Sequence, residues 1–160
     1  MSWFVAVLGG CDEAAEVKGG ERQLADYVGI AGTRIELAPA AAPDEVPLQL
    51  LIGEDSWTLR MGERWDDAEP VAGWKVTTKP ALVVEGEELL SMPLPDAVTF
   101  TTWYGEFAES VHAAPNAGEL AGEWVFARGI GPVVATVDSV RRECVFYEYG
   151  ADALADTGDD

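Results

Sequence analysis

Between residues 48 and 149 the chain alternates between short runs of β-branched, aromatic and aliphatic residues and clusters of Gly, Pro and Asp, and this spacing constrains the fold more than any other feature. Trp57, Leu59 and Met61 fall on one side of an extended segment, with Thr58 and Arg60 on the other. Gly53-Glu54-Asp55 turns this segment back on Leu48–Ile52. Trp74 and Val76 carry a further strand, and Ala81–Val84 another that ends at a turn through Gly86. Val98, Phe100, Thr102 and Tyr104 share one face of the next. Glu106–Ala114 has helical propensity, yet Phe107, Glu109, Val111 and Ala113 alternate after Gly105, which reads as strand. Trp124–Arg128 pairs with Pro132–Val137 across Gly129-Ile130-Gly131, and Glu143–Tyr149 closes the set. Upstream, Tyr27–Leu37 carries β-branched and aromatic residues around Gly29 and Gly32, and Ala38–Pro47 is a loop by composition. Short strands with turn residues between them predict a mainly β, antiparallel domain, a sandwich or partial barrel, without internal repeat. Trp57, Leu59, Trp74, Phe100 and Trp124 are its expected core.

The 160 residues suffice for one domain with one core, and an apolar content of 48% sets the chain apart from disordered sequences. Acidic residues outnumber basic ones 29 to 10, giving a net charge of −19. Such a surface repels phosphate backbones and anionic headgroups, so nucleic acid is not an expected partner. The single histidine, His112, argues against a multi-histidine metal site, and the acidic clusters match no calcium loop. No metal site or cofactor is expected. Two cysteines, Cys11 and Cys144, allow one bridge at most. Cys144 reads as a buried apolar residue.

The N-terminus carries an apolar run, Met1 to Gly10, that ends in two small residues before a cysteine: Leu8-Gly9-Gly10-Cys11. This resembles the lipobox of bacterial lipoproteins, in which a peptidase cuts between small side chains and the cysteine thiol carries the lipid. From about Val98 to Gly150 the chain also resembles the C-terminal part of many exported bacterial lipoproteins. The resemblance lies in Gly105-Glu106-Phe107, in the aromatic strand running from Trp124 through Gly129-Ile130-Gly131, and in the aromatic ending Phe146-Tyr147-Glu148-Tyr149. It implies a sheet or partial barrel outside the cytoplasm and carries no catalytic residues. On this reading residues 1–10 are a lipoprotein signal segment, 11–25 an acidic tether, 26–150 the β domain and 151–160 an acidic tail expected to fray. Cys11 is then the lipid-attachment site, and the membrane, reached through its acyl chain, is a partner. The localisation implied is the bacterial cell envelope, exported and membrane-anchored. The same run also reads as a first strand, Ser2–Leu8, closed by Gly9-Gly10; in that case the protein is cytoplasmic.

Several short motifs invite chemistry and fail on context. Asp156-Thr157-Gly158 spells an aspartic-peptidase triplet, but it lies at the C-terminus, where the buried paired geometry cannot form. Gly129-x-Gly131 precedes Pro132 and a strand rather than the helix that phosphate binding requires. Gly122-Glu123-Trp124 resembles the lipocalin Gly-x-Trp pattern but sits late in the chain, so Trp124 reads as core. No catalytic residue is legible. The six tryptophans leave a ligand question open. Trp65, among charges in Glu63-Arg64-Trp65-Asp66-Asp67, is the expected exposed aromatic, and Trp65 and Trp103 are the candidate ligand contacts. The expected function is a non-catalytic envelope lipoprotein domain with a binding or structural role, its partner an envelope protein or an apolar small molecule. The alternatives are a half-barrel carrier of an apolar ligand and a hydrolase with an unrecognised site. A continuous apolar cavity favours the carrier, a filled core with an exposed aromatic patch the binding domain, and a cleft of converging carboxylates the hydrolase.

Overall fold

The structure, a computed structural model, describes residues 22–115 and 118–148. Within them eleven strands form one antiparallel sheet that curls into a half-barrel. They are β1 (Arg34–Pro39), β2 (Leu48–Ile52), β3 (Ser56–Met61), β4 (Glu69–Thr77), β5 (Ala81–Val84), β6 (Glu87–Ser91), β7 (Val98–Thr101), β8 (Glu106–Ala113), β9 (Trp124–Ala127), β10 (Gly131–Val137) and β11 (Val140–Glu148). The order across the sheet is β6-β5-β4-β3-β2-β1-β11-β10-β9-β8-β7. Every neighbour is also a neighbour in sequence, except that β1 pairs with β11 along Arg34↔Glu148 to Pro39↔Arg142. The fold is therefore one meander whose two ends meet in the middle of the sheet.

Curling is visible in the core. Trp57 on β3 and Trp124 on β9 lie five strands apart, about 24 Å in a flat sheet at the usual strand spacing. Their ring centroids are 6.5 Å apart. Both indoles are fully buried, and Phe126 stacks on Trp124 at 6.0 Å. Ile35, Leu37, Leu48, Leu50, Leu59, Leu82 and Val84 fill the space between them. A four-residue helix, α1 (Ala25–Val28), adds Tyr27 and Val28 to this core, and Leu24 joins them. The folded part thus includes residues assigned from sequence to the tether, because Leu24 and the first turn after it bury apolar side chains.

Among the described residues the two edges of the half-barrel, β6 and β7, do not pair with each other. Alternating directions around the meander leave β6 and β7, the two edges, running the same way. A hairpin cannot join parallel strands. Residues 92–97 must instead run back along the strand, and seven Cα steps reach about 24 Å at most. Pro93 and Pro95 lie in this connector and lack the N–H groups needed to extend the ladder.

The structure bears out β2, β3, β5, the β9–β10 hairpin and the strand reading of β8. It corrects three expectations. The Tyr27–Leu37 segment is divided between α1 and β1. β6 begins with two glutamates and carries no alternation, so its pattern hid it. Phe100 is only half-buried, because β7 is an edge strand and ends at Thr101. The lipobox-like segment, Cys11, any Cys11–Cys144 bridge and the C-terminal tail lie outside the described residues.

Candidate functional site

The most exposed aromatic surface among the described residues grows from the turn after β7. Nine residues, Ala97–Gly105, carry no charge in a chain of net −19. Gly105, at φ 153°, lets the chain reverse into β8. Thr102 N–H donates to the Gly105 carbonyl at 2.9 Å and closes the hairpin, while the Thr102 hydroxyl accepts from Tyr104 N–H at 3.1 Å. Tyr104 N–H also reaches the Cys144 carbonyl at 3.2 Å, which lays the turn against the middle of β11.

This docking assembles aromatics from the turn, β8 and β11. The Tyr104 ring lies 5.0 Å from Tyr147, 6.1 Å from Phe107 and 6.3 Å from Phe146 between centroids. Phe107 is buried beneath them and joins the core. Trp103 is 60% exposed, Tyr104 46% and Phe146 39%. Large aromatics held rigidly and left in water offer contact area at low entropy cost. Trp103, a candidate from sequence, precedes Tyr104 in the same turn and is the more exposed of the two. Tyr104, Phe146 and Tyr147 were not identified as partners, because the contact between the β7–β8 turn and β11 is long-range.

Trp65 is corrected. It is 8% exposed, not a surface aromatic. A short 3-10 turn, Trp65–Asp67, folds it down, and the Arg60 guanidinium from β3 stacks 4.4 Å from the ring centroid. Arg60 Nη1 also donates to the Trp65 carbonyl at 2.8 Å. The charges around Trp65 in sequence point outward while its indole is covered, so the structure does not bring Trp65 and Trp103 into one site.

Two other features carry ionisable groups. An open depression of about 500 Å³ is lined by Asp26, Ala108, Glu109, Arg128 and Gly129. Its carboxylates converge on Arg128: Nη2 lies 3.0 Å from Asp26 Oδ2, and Nη1 binds Glu109. Burial works to lower the Arg128 pKa, but hydrogen bonds and charge from Glu109 and Asp26 outweigh it and raise it. Both acids bind the same guanidinium. The second feature is Cys144, fully buried on β11, whose thiol is pushed up to about 12, mainly by burial. His112 lies on an exposed face of β8 with its ring edge-on to Phe100 at 5.5 Å.

Among the described residues no group of three His, Cys, Asp or Glu is arranged to hold a metal ion, and no helix is long and apolar enough to cross a membrane. Comparison with protein-family models, curated proteins and solved structures returns no match.

Proposed function

We propose that this chain is a non-catalytic binding domain of the cell envelope, tethered to the membrane through Cys11, that meets its partner with the aromatic surface around Trp103. The observation that carries the binding half is the contrast between interior and surface. The curled sheet is packed with Trp57, Trp124, Phe126 and aliphatic side chains, whereas Trp103, Tyr104 and Phe146 are left in water, with the Tyr104 and Phe146 rings in contact. An exposed aromatic cluster costs solubility and is characteristic of recognition surfaces. The same contrast favours a surface binder over a carrier that holds an apolar ligand inside. Support for the envelope half comes from Leu8-Gly9-Gly10-Cys11 and the acidic stretch that follows it.

Mass spectrometry of the mature N-terminus tests the anchor. Acylated Cys11 is expected, and an intact Met1 or Ser2 in soluble protein would rule it out. Photo-crosslinking in cells tests the surface. A photoreactive residue in place of Tyr104 should capture a discrete adduct, while one in place of Val140, at the opposite end of β11, should not. Equal capture at both positions would remove the case for the aromatic surface.

A further inference from the structure

The free edge of β7 continues directly into the aromatic surface, and the two together define a ligand class. β7 pairs with β8 on one side through Val98↔Ser110, Phe100↔Phe107 and Thr101↔Glu106. No strand among the described residues pairs with its other side. Backbone direction alternates along a strand. Because Thr102 N–H faces β8, those of Phe100 and Val98 do as well, and Thr99 and Thr101 turn their N–H and C=O groups to the open side.

Proteins usually guard such an edge with charge, proline or a bulge. β6, the other edge, opens with Glu87 and Glu88 and leads into the proline connector. β7 has none of these. Its sequence, Val-Thr-Phe-Thr, is uncharged and β-prone, Val98 is 45% exposed, and both threonines are exposed. The bulge in the β7–β8 pair belongs to β8, where Ala108 and Glu109 oppose Thr99 alone and Glu109 takes φ 56°. β7 itself stays regular and open to pairing.

Charge decides what pairs with it. A second copy brings another net charge of −19 to the edge, which opposes self-association. A basic segment is drawn to the same surface, and exposed aromatic faces stabilise cationic side chains that pass over them. We infer that β7 takes an extended, lysine- or arginine-rich segment of a partner protein by strand addition. Thr99 and Thr101 supply the backbone bonds, and Trp103 and Tyr104 receive the cationic side chains. This rests on the aromatic surface being the recognition surface and adds to it the mode of binding and the charge of the partner.

The test uses a short synthetic peptide that alternates lysine with threonine and valine, and a matched peptide with glutamate for lysine. Binding to the full chain is followed by calorimetry, and hydrogen exchange is read at individual amides. The lysine peptide should bind and weaken as salt rises, and the glutamate peptide should not bind. Exchange at Thr99 and Thr101 should slow in the wild-type complex. Thr99→Pro removes an outward donor at an edge position and should lower affinity by at least about tenfold. Trp103→Ala should lower it by about two- to fivefold. Equal binding of both peptides, or unchanged exchange at Thr99 and Thr101, overturns the proposal. Binding that is lost in Trp103→Ala but untouched by Thr99→Pro overturns strand addition and leaves the aromatic surface standing. Dimerisation through β7 in the absence of peptide overturns the charge argument, and with it the assignment of a basic partner.

Discussion

The Tyr27 hydroxyl donates a 2.9 Å hydrogen bond to the backbone carbonyl of Glu109, the bulged residue of β8. Eighty-two residues of chain separate the pair. The bond ties α1 to the strand that leads out of the aromatic turn, and the Tyr27 ring is fully buried beside it. Arg128 reinforces the junction by binding both Asp26 of α1 and Glu109. The helix therefore fixes where β8 bends, and so where the β7–β8 turn meets β11.

Tyr27→Phe removes the bond and leaves the Glu109 carbonyl without this partner. We expect a loss of about 1–2 kcal/mol in chemical denaturation, with the circular dichroism spectrum unchanged. A loss indistinguishable from zero would mean that α1 is docked by its apolar residues alone.

The two tryptophans singled out from sequence should separate cleanly. Trp65 is packed under Arg60, and Trp65→Ala should cost about 3 kcal/mol or somewhat more in unfolding free energy. Trp103 is exposed, and Trp103→Ala should stay within about 0.5 kcal/mol of the wild type. Equal costs would contradict the burial assigned to Trp65.

That reversal shows where sequence stops being legible. Trp57, Leu59 and Trp124 declared themselves through alternation and nearby turn residues, both local signals. Burial of Trp65 depends on a cation five residues earlier, on a neighbouring strand, folding over the ring. β6 was hidden because its apolar pair, Leu89 and Leu90, is consecutive rather than alternating, and both side chains are buried across a bulge in the β5–β6 register. α1 is too short for a helical period to register. In the candidate site Trp103 was visible as a residue, but the surface was not. It exists only because Tyr104 N–H reaches Cys144, forty residues away in the chain, and brings Phe146 and Tyr147 beside the turn.

Cys144 gives a pH-dependent test. Its thiol titrates at about 12 in the folded chain, against an ordinary value of 9.0, because burial disfavours the thiolate. The pKa is raised on folding, so its contribution is fully present below pH 9 and is lost as pH rises through about 12. Cys144→Ala should therefore flatten the fall in stability between those values relative to the wild type. At neutral pH, alkylation followed by peptide mapping should leave Cys144 unmodified in the native protein and modify it in denaturant. Rapid native modification would show that β11 opens readily around Cys144.

The central claim is that recognition takes place on the aromatic surface and not inside the half-barrel. Indole N–H resonances, assigned by single Trp→Phe substitutions, report on both places at once. During titration with dodecanoate, a probe for apolar ligands, Trp57 and Trp124 should keep their free-state positions, and any response should appear first at Trp103. Saturable shifts of Trp57 and Trp124 with Trp103 unmoved would show an interior that opens to an apolar ligand, and would contradict the account.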